Sequence, residues 1–322
     1  MISLPTHKIA TLASHRSTIA MPPRIAVFTK NRTNPAYEAA RLGADRVAAQ
    51  FGATTRHYVP ERPDNVDEQI ALIARAIAER PDAAVFTPVH ETEVNEAILS
   101  LDAARIPAVN FVARSTVGQR LCFVGSDDRA LGANIARYLF AKLRGRGNIV
   151  IVEGTAASPT SHARFKGFYD ALADHPNIKV RSSFCGEYQR DAARDAYAKA
   201  GGTLRGIDGV LCANDVMALG VLDALAAQSA GSKSPLIVGV NAIPEAIKAI
   251  AAGTMLATVD FNAMAMSSIA TEAAIRHLRG ETIPRDIMLP VQVVDASNYD
   301  QWDLPFDART CPSWQEATAR DS

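Results

Sequence analysis

The stretch Gly209–Gly220, GVLCANDVMALG, sets an amide and a carboxylate side by side at a place suited to holding a ligand. Val210, Leu211, Cys212 and Ala213 form an apolar, partly β-branched run that reads as a fully buried parallel strand. The run stops at Asn214-Asp215, and Val216–Ala227 continues with apolar residues at helical spacing. Asp215 reads as the helix N-cap, its carboxylate accepting the orphan N–H groups of the first turn. Asn214 then stands at the carboxyl end of a strand, where open α/β sheets bind ligands. Its amide offers both a donor and an acceptor to a hydroxyl or carbonyl. The same dipeptide serves equally well as a plain βα turn, so other strand ends must decide.

Patterns for catalysis are missing from the chain. After the first apolar strand, Ile25–Thr29, the turn is Lys30-Asn31-Arg32-Thr33-Asn34-Pro35. It lacks the glycines that let a backbone approach a pyrophosphate, which disfavours a nicotinamide enzyme. There is no P-loop, no GxSxG elbow and no HExxH, and His57, His90, His162, His175 and His277 show no metal-ligand spacing. The expectation is a protein that is not an enzyme and uses no cofactor and no metal. Asp127-Asp128, which could pass for a metal or acid pair, fits better as the cap of a helix over Arg129–Leu143.

Apolar strands at Ile25–Thr29, Ala83–Thr87, Ala108–Phe111, Leu121–Val124, Asn148–Val152, Gly209–Ala213 and Leu236–Val240 would position these side chains. Amphipathic helices alternate with them, near Pro35–Gln50, Val66–Glu79, Glu93–Ala104, Arg129–Leu143, Ser161–Ala173, Asp191–Ala200, Val216–Ala227 and Pro244–Ala252. Such alternation implies parallel sheets covered on both faces, with right-handed crossovers. So many units exceed one ordinary sheet, and two Rossmann-like lobes are the economical arrangement.

Composition sets the limits. The 322 residues are 48% apolar, enough for one large or two medium cores, and Lys+Arg and Asp+Glu balance at 34 each. No electrostatic footprint for nucleic acid or an anionic membrane results, and no apolar run is long enough to span a bilayer. Cys122 and Cys212 sit in apolar strand-like runs and are expected as buried thiols. Met1–Pro23 has no apolar h-region, so it is read as a disordered extension rather than a signal peptide, with Met21 an alternative start.

With these elements placed, the chain resembles the type I periplasmic sugar-binding proteins of ABC transporters, in their ribose-binding branch. LacI-type repressor effector domains share the architecture. The resemblance runs from about Arg24 to Asp295 and rests on IAVFTKNRTNPAYEAARLGA, VGSDDRALG, ARFKGF, ANDVMALGVLDAL, VGVNAIPEAIKAI, GTMLATV and RGETIP in this order. It implies two α/β lobes with mainly parallel sheets, a three-segment hinge near Ser126–Asp127, Val259–Phe261 and Leu289–Val291, and a ligand cleft between the lobes. The implied division is residues 24–126 with 261–288 as the N-terminal lobe and 127–260 with 289–298 as the C-terminal lobe. Residues 299–322 form a tail whose aromatics should lie over a lobe surface. The implied function is a solute-binding receptor that closes on a sugar-like ligand and hands it to an ABC permease from the periplasm or cell envelope, as a monomer. The rival is a cytoplasmic regulatory effector domain lacking its DNA-binding part.

By the same resemblance Asn34, Tyr37, Thr87, Asn214 and Asn241 fall at ligand-contacting strand ends and loops, and Tyr188 at an aromatic position of the second lobe. Two aromatic faces suit a sugar ring, whose axial C–H groups pack on a π surface. Ordinary helix-start packing is the plain alternative for both tyrosines. Phe261 stands where relatives place Gln, and register decides which of Asp260, Phe261 and Asn262 faces the cleft. The chain also departs from its relatives. Their Asp-Arg pair after the strand equivalent to Ala108–Phe111 is replaced by Val112-Ala113-Arg114, a pocket Asp by Asn241, and an Arg by His162, while Lys30 replaces a small residue and Arg164 holds a more structural Arg position. Two carboxylates are lost and a cation is gained. If Arg114 also swung in, a closed cleft would hold cations without a counter-ion, which points to an acidic ligand such as a sugar acid. An inward Asp260 would cancel that argument and favour a neutral polyol.

Overall fold

The computed structural model describes residues 21–227 and 234–319. The extension expected over residues 1–23 lies almost wholly outside the described residues.

β1 (Arg24–Phe28) is an apolar strand whose alternate side chains face two different layers. Ile25 and Val27 meet Ala40, Ala44 and Val47 of α1 (Pro35–Gln50), whereas Ala26 and Phe28 join Ile73, Ile98 and Leu101 on the opposite face. Both faces are therefore dry, as a parallel strand requires. β2 (Thr54–Tyr58), α2 (Val66–Glu79), β3 (Ala83–Phe86), α3 (Asn95–Ala103), β4 (Ala108–Phe111) and β5 (Arg120–Gly125) complete the first lobe's run. The chain then enters a second lobe through α4 (Asp128–Lys142), β6 (Gly147–Glu153), α5 (Pro159–Ala173), β7 (Ile178–Cys185), α6 (Arg190–Ala200), β8 (Gly209–Cys212), α7 (Asp215–Ala226), β9 (Leu236–Val238), α8 (Pro244–Ala251) and β10 (Ala257–Asp260). It returns as α9 (Ala263–Leu278) and β11 (Asp286–Met288) in the first lobe, and β12 (Gln292–Asp295) lies back in the second.

The first sheet has the order β11-β5-β4-β3-β1-β2, all parallel, and the second β12-β10-β9-β8-β6-β7, where only β12 runs antiparallel. Strand carboxyl ends of both sheets face one another, and up to β12 three passages join the lobes: after β5, after β10, and between β11 and β12. Residues beyond β12 continue as short 3-10 turns at Tyr299–Gln301 and Phe306–Ala308 and end in α10 (Trp314–Thr318). Among the described residues no helix is long and apolar enough to cross a membrane.

The helix bearing the ARFKGF motif is set by backbone contact. A Cβ on Gly167 of α5 would stand 2.1 Å from the Arg129 carbonyl oxygen of α4, and one on Gly132 would stand 2.4 Å from the Arg164 carbonyl oxygen. Neither obstacle is a flexible side-chain end, so the helices would have to part. Gly167→Ala is expected to lower the unfolding free energy by about 3 kcal/mol, the upper part of the overpacking range. A urea midpoint unchanged at equal m-value would contradict this close approach.

Candidate ligand-binding site

Three lobe-to-lobe contacts show the cleft closed. Lys30 Nζ donates to Ser158 Oγ at 3.3 Å, Glu91 N donates to the Ala157 carbonyl at 3.1 Å, and His162 Nδ1 lies 3.5 Å from Glu91 Oε2. Between the lobes lies a space of ≈ 380 Å³, lined among others by Lys30, Tyr37, Arg164, Tyr188, Asn241 and Phe261.

Each wall is held by the element that ends there. Asn31 Oδ1 accepts from Asn34 N at 2.9 Å, and Asn34 Oδ1 caps α1 by accepting from Ala36 N at 3.0 Å. Tyr37 follows in the first turn of α1 and is buried. In the second lobe, Glu187 and Tyr188 both take left-handed backbone, at φ 54 and 57, a strained pair of the kind that collects at ligand sites. The Tyr188 ring lies against Gly154, where a Cβ would stand 2.2 Å from Cζ. Asn214 is the N-cap of α7, its Oδ1 accepting from Met217 N at 2.8 Å while Nδ2 reaches the Tyr188 carbonyl at 3.5 Å. Asp215, read from the sequence as the cap, instead turns beneath the sheet. It accepts from Thr258 Oγ1 at 2.7 Å and Ile243 N at 3.1 Å. Asn241 has φ 121, and its Oδ1 is buried without a hydrogen-bond partner among the described residues.

Charge is balanced around the cavity. Arg164 is 3% exposed, its Nε donates to Asp128 Oδ1 at 2.8 Å and its Nη1 to the Ala213 carbonyl at 2.8 Å, with Phe261 stacked 5.3 Å from the guanidinium. Burial alone would lower the Arg164 pKa, but Asp128 reverses this and holds it above the usual arginine value. Lys30, 3% exposed, has its pKa lowered by burial, with Asp64 opposing the shift. Burial raises the Asp64 carboxyl against the pull of Lys30, and raises the Asp128 carboxyl against the pull of Arg164. Two cations thus face two carboxylates. Tyr37 is pushed well above an ordinary phenol, by burial first and by Asp64 second. It stays a neutral donor at any ordinary pH.

Of the residues singled out from the sequence, Lys30, Asn34, Tyr37, Tyr188, Asn214, Asn241 and Phe261 line this space. Three do not. Arg114 points away, paired with Asp286 and stacked 3.9 Å above the Phe123 ring, because Val112 takes φ 63 and turns the chain outward. His162 sits on the exposed rim beside Glu91, and Thr87 is fully buried, its Oγ1 without a partner among the described residues. Asp260 does not enter the cleft either; it accepts from Trp302 Nε1 at 2.7 Å, while Phe261 faces inward and Asn262 caps α9. Of the Asp127-Asp128 pair, Asp127 caps α4 and Asp128 turns in to Arg164. Asn31, Asp64 and Thr160 line the cavity without having been singled out, and Arg164 proves part of its wall.

Two parallel α/β lobes, exchanged strands at the hinge and an aromatic, amide-rich cavity between them define a two-lobed solute-binding protein. Residues 25–282 match the profile of the periplasmic binding protein domain, and the chain belongs to that family. It is 29% identical over 247 residues to the xylitol-binding protein of Mycolicibacterium smegmatis, covering 76% of this chain and 69% of that one. It is 26% identical over 273 residues to a ribose import binding protein of Escherichia coli, covering 83% and 90%. A solved periplasmic solute-binding protein of an ABC transporter from Actinobacillus succinogenes, with D-allose bound, superposes with a TM-score of 0.81 at 26% identity, covering 86% of this chain and 99% of that one.

Proposed function

We propose that this protein is a non-catalytic receptor that closes on a neutral sugar or polyol and presents it, as a monomer in the cell envelope, to an ABC permease. The balanced cavity carries this reading. Lys30 and Arg164 are matched by Asp64 and Asp128, so the closed cleft has no charge deficit for an anion to repair. The acidic ligand inferred from lost family carboxylates therefore gives way, since Arg114 lies outside and Asp64 supplies a carboxylate from an unexpected loop. What remains is a set of hydroxyl, amide and charged groups around aromatic walls, which suits a compact polyhydroxylated solute. Xylitol, ribose and allose, named for the relatives above, are ligands of that kind.

Calorimetric titration with xylitol, D-ribose, D-allose and D-ribonate tests this. At least one neutral ligand is expected to bind ten times more tightly than the acid. Lys30→Met should weaken the neutral ligand by about 1.5–3 kcal/mol, the range for a hydrogen bond to a charged group. Tighter ribonate binding in the parent, lost in Lys30→Met, would restore the acidic-ligand reading.

A further inference from the structure

The chain passes between the lobes a fourth time. Leaving β12 in the second sheet, it crosses the hinge and ends against the first lobe, where Arg276 of α9 stacks 4.9 Å from the Trp314 ring and Ser268 Oγ reaches Cys311 Sγ at 3.6 Å. Between these ends it grips two parts of the binding apparatus. Trp302 Nε1 holds Asp260, next to Phe261 of the cleft, at 2.7 Å. Arg309 Nη1 donates to the Ala242 carbonyl at 2.9 Å, beside Asn241, and its Nη2 donates to the Trp302 carbonyl at 2.7 Å. From the first lobe, Arg46 of α1 donates to the carbonyls of Arg309, at 3.4 Å, and of Asp307. Asn241 and Ala242 carry φ values of 121 and 51, and such a turn persists only where its surroundings hold it.

We propose that the segment from Tyr299 to Thr318 is a strap that joins the lobes in the closed state, with Trp302 and Arg309 acting as positioning residues for Phe261 and Asn241. The segment lies beyond the residues matched by the family profile, which end at 282. The geometry gives the mechanism. Arg309 is bonded to the second lobe through Ala242 while its own carbonyl is bonded to the first lobe through Arg46, so hinge opening must break one of these links. Each link broken on opening and kept on closing shifts the equilibrium toward closed, whether or not solute is present. Burial lowers the Arg309 pKa, and Asp260 opposes the shift.

The inference rests on the reading that the lobes open and close around a solute, but its test needs no solute. The chain has two tryptophans, Trp302 and Trp314, and both lie in the strap. Intrinsic fluorescence therefore reports on the strap alone, while small-angle scattering reports on the lobes. In the solute-free full-length protein, the double variant Arg46→Met/Arg309→Met is expected to red-shift the tryptophan emission. It should also raise the radius of gyration by about 1 Å above the ~20 Å of a compact chain of this length. Lysine at both positions should restore part of each change. A red shift with an unchanged radius would overturn the proposal, since the strap would then lift without freeing the lobes. No change in either readout would overturn it too. Should the double variant lose its native circular dichroism, Arg46→Met alone carries the same test, because among the described residues its side chain donates to strap carbonyls. Failure to find a sugar ligand would leave these outcomes untouched.

Discussion

Replacing Arg164 with methionine is expected to lower the unfolding free energy by about 3–5 kcal/mol and to abolish measurable solute binding, the stability loss being that of a broken buried ion pair. Asp128, with a side chain 11% exposed, would lose the guanidinium it is paired with, and the Ala213 carbonyl at the end of β8 would lose a donor. Lysine would not repair this. Arg164 serves Asp128 with Nε and Ala213 with Nη1 at once while its flat face lies against Phe261, and an ammonium has neither the fork nor the face. The double variant Asp128→Leu/Arg164→Met separates the two effects. It should recover much of the stability, because replacing a buried pair by apolar residues is often neutral, yet still bind no solute. Thermal unfolding and calorimetry on the three variants decide it; full binding by the double variant would remove Arg164 from the site.

The elements legible in the sequence were those with one clear signal. The apolar runs of β1 and β8 read as buried strands, and Asn214 read as a strand-end amide because the run stops at it. α9 was not read because it is buried continuously from Ala263 through Ile275: its polar residues Ser267, Ser268, Thr271 and Glu272 share one side but are buried too, so no solvent face marks the helix. β2 was missed for the opposite reason. Its sequence TTRHY lies at the sheet edge and is half exposed, so it carries little apolar pattern, and the loop that follows delivers Asp64 to the cavity. His162 and Arg164 show a limit of another kind. Two positions apart on α5 they point about 200° from each other, so only one can face the cleft. The sequence reading put His162 in the pocket and gave Arg164 a more structural position, whereas Arg164 lines the cavity and His162 stands at the rim. Arg114 was misplaced because a left-handed residue two positions earlier, Val112, reverses the direction of its side chain, and a β-branched residue at positive φ has no sequence signature.

Asp215→Asn is expected to flatten much of the protein's pH-dependent stability between pH 4 and 8. Asp215 lies fully buried under the β8–α7 corner, and burial pushes its carboxyl up to about 7 despite the hydrogen bonds from Thr258 and Ile243. In the unfolded chain it titrates near an ordinary ~3.9, so between these values the folded state holds a proton that the unfolded state has released. Stability from this group is therefore complete below the unfolded pKa and declines as pH rises toward the folded one, levelling off above pH ~7. The total difference is on the order of 4 kcal/mol. Salt-bridged carboxylates with depressed pKa, such as Asp170 and Asp223, act in the opposite direction and lose stability on acidification. The raw profile mixes the two, so the measurement is the difference between parent and variant in urea unfolding, taken at steps from pH 4 to pH 8. That difference should fall steadily toward neutrality, as the parent gives up the advantage of a neutral, hydrogen-bonded carboxyl that the asparagine retains at every pH. Parallel profiles would mean that Asp215 is already ionised in the folded protein at pH 4.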